Sequence, residues 1–170
     1  HHPLGTGRAV EARCRECVAW PEAQTRARWA WIMEPPADAL VHGLKYEGWA
    51  ALAPEMGEAM AAAMDTGAGG RAPDLVTPVP TTPARERTRG YNQARLLAAA
   101  VSAELSIPLE ETLVRTREGP TQVSLPPSQR RANVEGAFRA AGPDGPRLSG
   151  AHVVLVDDVL TTGATAAQAA

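Results

Sequence analysis

Apolar residues recur at three- and four-residue spacings over several stretches of the chain and run without interruption over others. Residues 29–33, WAWIM, read as a short strand, after which Pro35 and Pro36 open a helix that carries Leu40 and Leu44 and closes at LKYEG, 44–48. A second amphipathic helix is expected from about Leu52 to Met64, both helices packing through their apolar faces. GAGG at 67–70 breaks the chain. DLVTPVP, 74–80, has the pattern of a central strand that ends at a proline-bounded turn; NQARLLAAAVSAEL, 92–105, predicts a helix and ETLVRTR a strand around 111–116. A long loop over 118–133 precedes VEGAFRA, read as a short edge strand, and the polar AAGPDGPRLSG leads into a buried strand over 152–157 and the helix-like ATAAQAA. Strands alternating with helices predict an α/β fold with a parallel sheet.

The last of these strands ends in an unusual way. VVLVDDVLTTGAT, 153–165, places Asp157 and Asp158 side by side after four apolar residues. Neighbouring carboxylates repel and lose solvation when buried, so they belong where the strand leaves the sheet, facing the crevice beyond its carboxyl end. Thr161, Thr162, Gly163, Ala164 and Thr165 follow as a turn of small residues ahead of a helix, able to wrap backbone N–H groups and hydroxyls around an anion. A ribose 5-phosphate would offer hydroxyls to the acids and a phosphate to the turn. The plainer alternative is a strand-to-helix turn whose acids merely start the helix.

Upstream, PVPTTPARERTRGYNQA sets Arg85, Arg87 and Arg89 on the loop after the 74–80 strand. Planar guanidinium groups suit phosphate oxygens, although a solvated basic loop would look the same. Charge is distributed to match: residues 30–70 hold six acids and one base, Lys45, whereas residues 71–140 hold ten arginines against seven acids. Any anion-binding surface therefore belongs to the second half. The whole chain has 170 residues and a net charge of -2, which suits one α/β domain and argues against a generally basic nucleic-acid binder. No apolar run is long enough to span a membrane and no basic-then-apolar start marks secretion, so a cytoplasmic protein is expected. Gly-x-Gly-x-x-Gly, Walker-type and His-Glu-x-x-His patterns are missing, which removes dinucleotide redox chemistry, P-loop hydrolysis and zinc proteolysis.

Cys14 and Cys17, the only cysteines, have the spacing of half a tetrahedral zinc site; inert thiols and a redox pair follow in that order. Both chain ends read as cut, since HHPLG has the look of a tag remnant or loop interior and TAAQAA stops inside a helix.

VVLVDDVLTTGAT resembles the 5-phosphoribosyl-1-pyrophosphate (PRPP) loop of type I phosphoribosyltransferases. RGYNQA at 89–94, LKYEG at 44–48 and TQVSLPPSQRRANVEGAF at 121–138 are similar, in the same order, to the ComF/GntX branch of that family. The resemblance implies a parallel-sheet phosphoribosyltransferase domain over 27–170, apparently truncated at its C-terminus, with a zinc-ribbon-like segment over 1–26. It implies that Asp157 and Asp158 are catalytic and engage the ribose 2- and 3-hydroxyls, while Thr161 to Thr165 hold the 5-phosphate. It points to Lys45, Arg89, Asn92, Gln93, Gln122, Arg130 and Asn133 as pocket or loop residues, and together with Arg85 and Arg87 of the arginine loop, Lys45, Arg89 and Arg130 would contact the pyrophosphate or its loop. By their residue types alone, Lys45 also reads as a surface lysine, Asn92 as a helix cap, and 118–133 as either a mobile lid or a disordered connector.

Mg2+ would accompany PRPP, and Zn2+ would require a chain extended before His1. The branch further implies DNA uptake and natural competence, with single-stranded DNA or competence proteins as partners. The alternative is an active phosphoribosyltransferase on a base-like acceptor with no role in DNA binding. The acceptor and the oligomeric state are not legible.

Overall fold

The computed structural model describes residues 20–64, 71–116, 136–142 and 148–170. Helices α1 (Ala37–Tyr46) and α2 (Ala53–Ala62), joined through a 3-10 turn at Ala50–Leu52, precede strand β1 (Leu75–Pro78). Helices α3 (Pro83–Arg89) and α4 (Gln93–Leu105) follow, then strands β2 (Leu113–Arg115), β3 (Phe138–Ala140) and β4 (Val153–Val156), and helix α5 (Ala164–Ala169). Cys14, Cys17, Gln122, Arg130 and Asn133 lie outside the described residues.

The parallel sheet is present. β1 pairs with β4 in register from Leu75 opposite Val153 to Pro78 opposite Val156. On its other side β1 bridges to Leu109, with Val76 N–H donating to the Pro108 carbonyl at 2.8 Å and Glu110 N–H to the Val76 carbonyl at 2.9 Å. All four residues of β1 are buried, which is why its sequence shows no polar alternation and only one polar residue, Thr77. Thr77, its one hydroxyl, lies 2.9 Å from the Thr112 hydroxyl and also accepts the Thr112 N–H at 3.2 Å. Separately, β2 and β3 form an antiparallel pair, matching the expected edge strand.

Asp74 fixes the register at the entry to the sheet. Its carboxylate accepts the His152 N–H and an Arg71 guanidinium N–H, both at 2.7 Å, and its own N–H donates to the His152 carbonyl at 2.8 Å. The backbone donor of His152, followed by Arg71, holds the Asp74 carboxyl below its usual range despite the opposing cost of desolvation.

The core lies between the sheet and helices α1, α2 and α4, around Val41, Leu44, Met56, Val76, Leu97, Val101 and Val156. Leu44 and Leu97 are wholly buried, each contributing about 1.5–3 kcal/mol relative to exposure. Helices α2 and α4 meet at Gly57, where a Cβ would stand 2.2 Å from Ala100 Cβ and 3.2 Å from its Cα. Helix propensity alone would make Gly57→Ala stabilising by about 1 kcal/mol. Overpacking opposes this by about 1–3 kcal/mol, so a lower melting temperature is expected in thermal unfolding. A rise would show that the helices do not meet there.

Two expectations are corrected. WAWIM forms no strand: Trp29, Trp31, Ile32 and Met33 are all more than 40% exposed, and no alternate face is buried to hold the segment against a sheet. The arginine segment, read as a loop, begins as helix α3. Thr82 caps it by accepting the Arg85 N–H at 3.3 Å, Pro83 occupies the first turn, and Gly90 at φ 86° ends it.

Candidate functional site

β1 and β4 run parallel, so the segments that leave their carboxyl ends, 79–82 and 157–163, open into one crevice. A cavity of about 280 Å³ lies there. Its walls bring together Asp157 and Asp158 from the end of β4, Thr161 and Thr165 from the following turn, Arg85 and Arg89 from α3, and Lys45 from the last turn of α1. The sequence places these residues far apart; the parallel pairing makes them neighbours.

The acids are not equivalent. Asp158 is almost wholly buried, and the Lys45 ammonium sits 2.6 Å from its Oδ2 as a close ion pair. Asp157 Oδ1 accepts the Asp158 N–H at 2.9 Å. Burial pushes the Asp157 carboxyl well above the usual carboxylate range, the neighbouring Asp158 charge adds to the rise, and Lys45 only partly offsets it. Lys45 is thus no free surface lysine in this structure: its side chain is 18% exposed and committed to the acid pair.

The basic wall is built on α3 and the start of α4. Arg85 and Arg89, one helical turn apart, both line the cavity, while Arg87 is exposed and does not. Arg89 donates to Gln93 Oε1 at 2.6 Å, and its guanidinium lies over the Tyr46 ring, 5.3 Å from the centroid. Asn92 has two roles. Its Oδ1 caps α4 by accepting the Ala94 N–H at 3.1 Å, while its amide donates to the Val79 carbonyl at 3.1 Å and so ties the helix start to the end of β1. The Tyr91 hydroxyl donates to the Leu44 carbonyl at 2.7 Å, which positions α1, and with it Lys45, over the crevice.

Sequence reasoning missed Arg115 and Tyr46. Arg115, at the end of β2, lines the cavity beside Phe138, 5.4 Å from its ring centroid. Desolvation first and the Arg85 charge second lower its pKa, with Asp157 pulling the other way. Two guanidinium groups repelling each other at a half-buried wall favour an anion between them. An arginine inside the apolar LVR stretch was the signal available. Tyr46, the only aromatic residue on the wall among the described residues, is 56% exposed.

Beyond β4 the turn keeps Gly163 in the left-handed region at φ 75°, a conformation that favours glycine. Ala164 N–H reaches the Thr162 hydroxyl at 3.4 Å, and Ala167 N–H donates to the Gly163 carbonyl at 2.8 Å to start α5. Gly163 and Ala164 are buried, so the turn is packed into the fold. Among the described residues no three of His, Cys, Asp and Glu gather to hold a metal ion, and no helix is long and apolar enough to cross a membrane.

Residues 92–169 match the family described as the phosphoribosyl transferase domain. The DNA utilization protein YhgH of Escherichia coli O157:H7 is 34% identical over 163 residues, covering 92% of this chain and 69% of the relative. The YhgH protein of Salmonella typhimurium is 32% identical over the same shares. Competence protein F of Haemophilus influenzae is 40% identical over 94 residues, 55% of this chain and 41% of that protein. No solved structure matches the chain. The paired acids after a parallel strand, the threonine turn behind them and the similarity along almost the whole chain together make this protein a member of the phosphoribosyltransferase family, of the ComF type.

Proposed function

We propose that the chain binds PRPP, or a related ribose 5-phosphate, with Mg2+, and serves DNA uptake as a phosphoribosyltransferase-like protein. The observation that carries this reading is that one cavity joins the acid pair, Thr161 and Thr165 of the turn, and two arginine-bearing elements. Asp157 and Asp158 would take the ribose hydroxyls, the turn from Thr161 to Thr165 the 5-phosphate, and Arg85, Arg89 and Arg115 the diphosphate. Two carboxylates offer the hard oxygen donors that Mg2+ prefers but too few to cage it, so the ion would arrive with the diphosphate. Bound there, it would neutralise charge on the leaving group. The protein's own part is to fix the anomeric carbon relative to the acids and to hold the diphosphate against the guanidinium wall.

The DNA context comes from the names of the relatives, which speak of DNA utilization and competence. Single-stranded DNA would meet Arg89 and the exposed Tyr46 beside it, a cation and a ring of the kind that binds backbone and base. Zinc belongs to the same proposal, held by Cys14 and Cys17 with two further ligands in a chain extended before His1.

Pyrophosphate release with Mg2+, PRPP and a mixture of nucleobases tests whether the site turns over. No release above background is expected, together with tight, Mg2+-dependent PRPP binding in calorimetry. Arg89→Ala should weaken PRPP and single-stranded DNA alike, and should flatten the salt dependence of DNA binding by roughly one counterion. Release with any base would turn the reading toward the active transferase. DNA binding indifferent to both PRPP and Arg89 would remove DNA from this cavity.

A further inference from the structure

The turn that follows Asp158 is held from two sides. On one side Ala164 packs against Ala137 and Phe138, and Gln168 Oε1 accepts the Gly136 N–H at 3.2 Å. On the other side stands Trp20, from the irregular segment ahead of α1. Its Nε1, Cε2 and Cζ2 atoms lie 2.7, 3.0 and 3.1 Å from where a Cβ on residue 163 would be. The indole thus fills the space that any side chain at Gly163 would need. The hydrogen bond within the turn, from Ala164 N–H to the Thr162 hydroxyl, is long at 3.4 Å. Packing from both sides thus adds to the Ala167 N–H bond on the Gly163 carbonyl in keeping Gly163 at φ 75°.

The placement of the indole decides what it does. Thr161 and Thr165 line the acid-and-arginine cavity, whereas Trp20 and Gly163 do not. Trp20 leans on the back of the turn and leaves the cavity open. We infer that Trp20 is a positioning residue for ligand phosphate: it braces Gly163 from behind so that Thr161 and Thr165, on either side of it, keep their places on the cavity wall. This rests on the reading of the turn as a phosphate site. It goes beyond that reading by making a residue outside the phosphoribosyltransferase motif, close to the chain start, a determinant of phosphate affinity. A flat, rigid aromatic ring suits the task, because it buries a large area at little conformational cost and can lie against a bare backbone.

Ribose 5-phosphate and inorganic phosphate titrated into the full chain, its Trp20→Leu and its Trp20→Phe variants test the inference. The expected result is an affinity for ribose 5-phosphate about tenfold weaker or more in Trp20→Leu, a displaced donor set being costly. Trp20→Phe should recover most of the loss, because a ring still braces the turn. Ligand should also shift the tryptophan emission of the natural chain, and that shift should vanish in Trp20→Phe although Trp29, Trp31 and Trp49 remain. This optical readout does not depend on Trp20→Leu folding well. Affinity that is unchanged or tighter in both variants, or an emission shift that survives in Trp20→Phe, overturns the brace and leaves the phosphate site standing. A natural chain that binds neither ribose 5-phosphate nor phosphate overturns the site itself, and the brace with it.

Discussion

Replacing Gly163 with valine is expected to abolish PRPP and ribose 5-phosphate binding while the rest of the fold persists. Two physical effects act in the same direction. At φ 75° a residue with a Cβ is strained by about 1–2 kcal/mol, more for a branched one, and the turn relaxes toward ordinary dihedrals. The added side chain also overlaps Trp20, whose nearest atom is 2.7 Å from the Cβ position. Either relaxation displaces Thr161 and Thr165 from the cavity wall, and an anion held by several donors of the turn would lose them together. The core around Leu44, Leu97 and Val101 is remote from the turn in sequence and built on α1 and α4, so thermal unfolding should remain cooperative. Calorimetric titration that returned the natural affinity from a folded Gly163→Val chain would remove the turn from the ligand site. Gly163→Ala, which meets the same indole with a smaller group, should fall between the two.

Opposite signs of stability change are expected at the neighbouring acids. Asp157→Asn should raise the melting temperature of the ligand-free protein at neutral pH, because burial and the Asp158 charge penalise ionised Asp157. Proton linkage sets the pH dependence. The folded pKa lies above the unfolded value of about 3.9, so the folded state binds more protons in that window and stability falls as pH rises through it. The gain from asparagine should therefore be full above the folded pKa and vanish below about pH 4. Asp158→Asn should do the reverse. It strips the ammonium of Lys45, mostly buried, of its counter-ion, at a cost of about 1–3 kcal/mol. Both variants should lose ribose phosphate affinity. Melts of the two single variants across pH decide the matter: a destabilised Asp157→Asn beside an indifferent Asp158→Asn would contradict the assigned roles.

The sequence announced the site more clearly than its internal wiring. Strand β4 and the turn after it were legible because one contiguous segment carries the apolar run, the acids and the small residues, and each of these reports a local requirement. The start of α4 was legible for the same reason, Asn92 being a cap residue directly ahead of a helical pattern. Helix α3 was not, because seven residues are too few to show a period and alternating arginines look like a solvated loop. Once the segment is helical, alternation in sequence becomes separation in space, so Arg85 and Arg89 share the cavity and Arg87 leaves it. The Lys45–Asp158 pair joins α1 to the turn after β4, and no local pattern encodes a contact at that separation. WAWIM misled because aromatic and β-branched residues favour strands only where a partner edge exists, and this segment has none among the described residues.

The parallel pairing of β1 with β4 also governs when the cavity can exist. During synthesis Leu75 leaves the ribosome 78 positions before Val153, an interval on the order of 4–16 s at typical elongation rates. Through that interval the nascent chain has the arginine helix, Asn92 and one edge of β1 with its neighbour missing. It has neither acid nor phosphate turn. Closing so long a loop makes this a slow, late step and leaves an apolar edge in need of protection meanwhile. Any translation product that stops before β4 therefore carries guanidinium groups without the paired acids and the turn behind them, so ribose phosphate binding, once measured, would itself report that β4 was made.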